Sequence, residues 1–235
     1  MKDKEIDTRF VVVPKKLLRE EIELFNTYMY ISSNRYKNSF EATVSYKKLA
    51  EQMGIDIKYV KQNIKKLVDK AYLEASEPYA KKNGKKGAVT FSLYAVAKYF
   101  VILPMDFILN QEIPRNYKYY YVNLKYCTNL ETLIAYHSPN QLMEKLRPSG
   151  KALSKSTFSE FMSFIKAFKI HNIPLLVDAS NDSEYIWEMP YEQYIYTTNK
   201  NNKLVTTEKE RAKEAIEEIG RGKNNEKVDV VIWKY

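Results

Sequence analysis

The chain has 235 residues, enough for one large domain or two small ones, and either can bury a core. Its composition is globular, with 45% hydrophobic and 29% charged residues and only 6 Gly and 8 Pro. A net charge of +9 points to a polyanionic partner, and a lone Cys127 leaves no intramolecular disulfide framework, as suits a reducing cytoplasm.

The opening "MKDKEIDTRF" is charged and lacks the apolar core of a signal peptide. The longest apolar run, "YAVAKYFVILPMDFIL", is interrupted by Lys98, Pro104 and Asp106, so no membrane span is expected. A soluble, cytoplasmic protein is expected.

Phe10 to Val13 is a β-branched run closed by Pro14 and reads as a short strand. Leu17, Leu18, Ile22, Phe25, Tyr28 and Met29 then keep helical spacing and predict a helix to about Ser32. "NRYKNSFEATV" reads as a polar connection. Ser45 is a good N-cap for a helix whose small apolar face is Leu49, Ala50 and Met53, and Gly54 ends it without strain. Asp56 can cap the next helix. There Val60, Ile64, Leu67 and Val68, at i, i+4, i+7 and i+8, predict one buried stripe. A hairpin follows, with strands Tyr72 to Ala75 and Ala88 to Tyr94 around a lysine-rich tip containing Asn83-Gly84.

This order, in "SYKKLAEQMGIDIKYVKQNIKKLVDKAYLE", resembles the winged helix-turn-helix domain. Ser45, Leu49-Ala50, Gly54, Val60, Ile64 and Leu67 carry the resemblance, which covers residues 10–98 or so. One departure is Ala71, where the family usually has glycine before the first wing strand.

A second copy is expected over 99–196. "YFVILPMDFIL" echoes "RFVVVPKKLL" as strand, proline and helix start. "YKYYYVNLKYCTNLETLIAY" is ambiguous between helix and strand, and its rings suit packing in the second domain or a dimer interface better than base stacking. Ser138-Pro139 opens one helix. Ser154 caps another, with Phe158, Phe161, Met162, Ile165 and Phe168 on its apolar face. Ile173–Val177 and Tyr185–Met189 then read as strands. The polar stretch 197–203 reads as a linker. After it come a helix with a Thr207/Glu210 capping box and the stripe Ala212, Ala215, Ile216 and Ile219, then a terminal strand. The expected fold is therefore α+β and mainly helical: winged-helix domains at 1–98 and 99–196, and a helix–strand tail at 197–235.

In a winged helix the third helix enters the DNA major groove. The resemblance implies DNA contacts from Ser45 and from Lys58, Tyr59, Lys61, Gln62, Lys65 and Lys66. Tyr59 and Gln62 are near enough to the helix start to reach base edges, and Lys65 and Lys66 are placed for phosphates. Lys81, Lys82, Lys85 and Lys86 on the wing tip suit a backbone or minor groove. Residues 44–86 hold eleven Lys against five Asp or Glu, a net +6, so the basic excess lies on these elements. In the second copy Lys155, Ser156, Thr157, Ser159, Glu160, Ser163 and Lys166 would face outward, and Lys155, Ser156, Thr157, Ser159 and Lys166 are candidate DNA contacts unless this domain meets a protein partner or its own copy instead. Glu160 would repel phosphate, and the wing carries Asp178, Asp182 and Glu184 with no lysine.

No catalytic residue, metal site or cofactor is expected. "GKALSKS" has neither the spacing nor the glycines of a phosphate loop, and His137, His171 and Cys127 lack an activating neighbourhood in sequence. Tandem winged helices, each introduced by strand, proline and helix, resemble the replication initiators of bacterial plasmids and mobile elements. That resemblance implies sequence-specific binding of double-stranded DNA, a possible homodimer and a host replication partner. A winged-helix transcriptional regulator with a regulatory partner, or a partition or assembly adaptor holding DNA with one domain and protein with the other, stays open.

Overall fold

A computed structural model describes residues 10–36, 39–76, 87–93, 100–129, 132–148 and 150–201. The described chain is α+β and divides into two units. The first holds Val11–Lys15 and Glu23–Ile102, the second Lys16–Ile22 and Leu103–Asn202.

The two strand–proline segments that echo each other in sequence, β1 (Phe10–Pro14) and β5 (Phe100–Pro104), pair as a two-stranded sheet. The single helix expected after Pro14 is broken. Lys15–Arg19 forms a 3-10 turn, closed by the Glu20 amide on the Leu17 carbonyl, and α1 (Ile22–Ser33) starts afresh. Every residue from Leu24 to Ser32 is buried, so α1 is covered on all sides.

The connection expected at 34–44 contains a strand, β2 (Glu41–Val44). It precedes α2 (Tyr46–Met53) and α3 (Ile57–Asp69). The hairpin β3 (Leu73–Ala75) and β4 (Val89–Leu93) completes an antiparallel sheet of order β2-β4-β3. Ala42 and Val44 face inward beside Phe91 and Val89, while Thr43 and Thr90 share a 2.9 Å hydroxyl contact on the outer face.

In the second unit α4 (Met105–Leu109) leads to α5 (Arg115–Tyr126), which resolves the ambiguous tyrosine run as a helix. Tyr119, Tyr120 and Tyr121 are buried, and Phe107 lies 4.6 Å from Tyr121 between ring centres. The Tyr119 hydroxyl donates to the Leu18 carbonyl at 2.6 Å, tying the 3-10 turn to α5. Lys118, 1% exposed, donates its ammonium to the Ile108 carbonyl at the C-terminal end of α4. Burial pushes its pKa down to about 8.

Then come β6 (Ile134–Ala135), α6 (Pro139–Lys145) with a Ser138/Gln141 capping box, and α7 (Lys155–Ala167). A tight hairpin of β7 (Lys169–Ile170) and β8 (Ile173–Pro174) precedes β9 (Val177–Asp178) and β10 (Trp187–Glu188). The second sheet has order β6-β10-β9, so a strand, two helices and two further sheet strands with the last one central occur twice in the chain, the second time with the separate β7–β8 hairpin inserted after the helices. The strand expected over Ile173–Val177 is thus two short strands, separated because Leu175 and Leu176 turn into the core. Phe168, expected on the buried face of α7, is half-exposed and stacks on Phe164 at 5.1 Å.

The linker expected at 197–203 is overtaken by α8 (Pro190–Asn201), whose Pro190 stands at the first helical position and whose Tyr191 and Ile195 are buried. The helix and strand expected beyond 203 lie outside the described residues. Among the described residues no helix is long and apolar enough to cross a membrane.

Candidate nucleic-acid interface

The hydroxyl of Ser45 accepts from the Lys48 amide at 3.1 Å and starts α2. Its oxygen is occupied as a cap; its proton remains available to an acceptor outside the helix. Leu49, Ala50 and Met53 face the core, and Lys47 and Glu51 form an exposed pair at 3.8 Å. Gly54 takes φ 61° and ψ 40°, and the Ile55 amide reaches back to the Ala50 carbonyl, closing the helix. Two residues later the Asp56 carboxylate accepts from the Lys58 amide at 2.6 Å and opens α3.

Helix α3 is rotated from the sequence expectation. Val60, Ile64 and Leu67 are buried, but Val68 is 38% exposed and Asn63 takes the fourth inward place. The reason is a hydrogen bond. The Asn63 amide donates to the Thr27 hydroxyl of α1 at 3.0 Å, and Thr27 donates to the Glu23 carbonyl at 2.7 Å. With both partners present, a roll that turned Asn63 outward would strand the buried Thr27 hydroxyl beside an apolar neighbour, which costs more than leaving Val68 half in water.

Opposite that core face stand Lys58, Gln62, Lys65 and Asp69, spaced i, i+4, i+7 and i+11 and all exposed. The side chains of Lys58, Gln62 and Lys65 have no hydrogen bond or ion pair to a described residue. Tyr59, 58% exposed, and Lys66 lie on one flank. Lys61 lies on the other with Ile57 and Val68, its ammonium 5.8 Å from the centre of the Tyr46 ring on α2. Of the eleven first-domain residues expected at the interface, the six on α3 are exposed but spread over both flanks and the stripe between them, and Ser45 is half-buried at the start of α2. Lys61 is turned toward α2, away from the stripe of Lys58, Gln62 and Lys65. Tyr46 and Asn63 did not figure in the sequence reading, because both act through partners distant in the chain. Lys81, Lys82, Lys85 and Lys86 lie outside the described residues.

Ala71, which precedes β3, has φ 55°. The chain makes a left-handed turn there before β3, with the Tyr72 amide bonding back to the Leu67 carbonyl. This left-handed backbone favours glycine, and an L side chain adopts it under strain.

The equivalent surface of the second unit differs. Lys155, Ser156, Ser159, Glu160, Ser163 and Lys166 are exposed, Thr157 is half-buried, and Phe158, Phe161, Met162 and Ile165 face the core. The Ser154 hydroxyl caps α7 and lies 3.0 Å from the Ser156 hydroxyl and 2.9 Å from that of Thr157, so these groups are engaged with one another. Lys166 pairs with Asp178 at 3.4 Å. Burial alone would raise the Asp178 carboxyl, but hydrogen bonds from Ser180 and the Lys166 ammonium outweigh it and hold the pKa low.

His171 is not isolated: its Nε2 meets the Asp106 carboxylate at 2.7 Å, linking the β7–β8 turn to α4. Burial, then the nearby Lys145, lowers the pKa of His137, and burial raises that of Cys127. Among the described residues no group of three His, Cys, Asp or Glu is arranged to hold a metal ion. No protein-family model, curated protein or solved structure significantly matches the chain.

Proposed function

We propose that the chain binds double-stranded DNA without catalysis, through a tandem pair of winged helices of which the first supplies the recognition helix, α3. The observation that carries this reading is the exposed stripe of Lys58, Gln62 and Lys65. It lies on a helix held by a Gly54 turn, beside a sheet of order β2-β4-β3. An exposed face of this width fits the major groove, where glutamine pairs with adenine and lysine with guanine acceptors. Lys61, held over Tyr46, suits a flanking phosphate.

The role we favour is replication initiation on a plasmid or mobile element. Support comes from the twice-occurring strand–proline element and from the twice-occurring sheet order. Selection of bound fragments from the source replicon tests it. Repeated sites beside the chain's own gene are expected, whereas a single palindrome over a promoter would favour a transcriptional regulator. An adaptor holding protein with its second unit is supported by one observation: the exposed acids Asp182 and Glu184 beside β10, which disfavour phosphate.

A further inference from the structure

The two three-stranded sheets differ on their outer faces. In the first, Glu41, Thr43, Glu74, Thr90 and Ser92 point outward, as expected of a sheet that meets water. In the second, Trp187 and Ala135 are buried on the inner face. Ile134, Val177 and Glu188 therefore stand outward, and continuing the register adds Tyr136, Ile186 and Ala179. All but Glu188 are apolar or aromatic, and Tyr136 is 53% exposed. Ile134, Val177 and Ile186 are half-buried and Ala179 and Tyr136 exposed, so this sheet meets water with apolar side chains, the composition of an interaction site.

Its charge says what covers it. Residues 170–199 contain five acids and no Lys or Arg, in a chain of net charge +9. Two of the acids are satisfied internally, Asp178 by Lys166 and Glu192 by Lys125. Asp182, Glu184 and Glu188 have no side-chain hydrogen bond or ion pair to a described residue. Glu188 is half-buried, with Ile134 and Val177 directly across from it on either side. A carboxylate so placed gains from an incoming cation.

The chain itself carries the complement. Ile57, Lys61 and Val68, at i, i+4 and i+11, line one flank of α3, and Lys65 on the adjoining stripe borders it. Ile57 and Val68 are each 38% exposed. We propose that the acidic, apolar outer face of the β6-β10-β9 sheet docks this flank of α3 from a second copy of the chain. Two copies of this sheet face packed on each other would set Glu188 against Glu188, so the face meets an unlike, basic surface instead. The inference needs only the surface of α3, not its reading as a DNA-binding helix. Where both hold, duplex DNA and the second copy compete for Lys65.

Sedimentation velocity of the full-length protein at low and high salt tests the contact. Concentration-dependent association is expected at low salt, reversed at high salt. Glu188→Lys and Lys65→Glu should each weaken it by roughly tenfold or more, and the double variant should recover part of the loss. A monomer at every concentration, association unchanged by both single variants, or no recovery in the double variant would overturn the proposal. A 20-base-pair duplex added in a separate arm should dissolve the assembly of the wild type. Salt-sensitive association that DNA leaves intact would retain the α3 contact and count against α3 as the DNA-binding helix.

Discussion

The Asn63 amide of α3 donates to the Thr27 hydroxyl of α1 across 3.0 Å inside the first unit. This bond fixes the roll of α3 about its axis and so decides which side chains stand outside. Asn63→Ala should cost about 1–3 kcal/mol, the usual penalty for removing a buried partner, seen as a lower urea midpoint at unchanged slope. Thr27→Val should cost a similar amount by leaving the amide unsatisfied. The double variant Thr27→Val/Asn63→Leu should lose less than the sum of the two, because no polar group is then stranded.

Two left-handed positions bracket α3 and carry opposite residues. At Gly54 an added Cβ would meet nothing within 4 Å, so Gly54→Ala should destabilise by the backbone strain alone, about 1 kcal/mol. At Ala71, φ 55°, Ala71→Gly should relieve the same strain and raise the thermal midpoint. Opposite shifts in paired melts support the argument; a loss of stability in Ala71→Gly would refute it.

What the sequence made legible was local. Ser45, Gly54, Asp56, Ser138 and Ser154 act on backbone groups within a few residues, and each stands at the helix end where its chemistry belongs. What it hid depends on partners far along the chain. Strand β2 is only Glu41–Val44, and its ladder mate β4 begins at Val89. Nothing near Asn63 in sequence marks it as inward; its partner Thr27 lies 36 residues earlier. The Lys61 flank of α3 is similar: only packing against α2 sets its ammonium over Tyr46. Helix α8 was missed because Glu192, Gln193 and Tyr194 blur the apolar period, although Pro190 marks its start.

Lys118 should impose a signature on stability in alkali. Its folded pKa, lowered by burial to about 8, lies below its unfolded value near 10.5. Between those values the unfolded chain binds the extra proton, so stability rises with pH, by up to about 3 kcal/mol. Above pH 10 the sign reverses. Burial holds the Tyr28 pKa up at about 12, against smaller opposing effects of Ser32 and Arg35, and burial also raises that of Tyr121. The unfolded tyrosines then ionise first and favour unfolding. Thermal midpoints should climb from pH 8 toward pH 10 and fall beyond it. Lys118→Met should remove the climb and keep the fall; a climb that persists in that variant would assign it to another group.

Salt dependence separates the roles of the lysines on α3. Each phosphate contact contributes about 0.9 to the slope of log affinity against log salt. Lys61→Ala, which removes the cation held over Tyr46, should flatten that slope by about one contact and weaken all duplexes alike. Tyr46→Leu should do the same more weakly, since it loses the ring and keeps the charge. Gln62→Ala should leave the slope nearly unchanged and relax the preference at one base pair, costing about 1–3 kcal/mol on the preferred site only. Lys58→Ala and Lys65→Ala, on the stripe opposite the core, should lower affinity and flatten the slope together. Unchanged affinity and slope in that pair would remove α3 from the interface altogether.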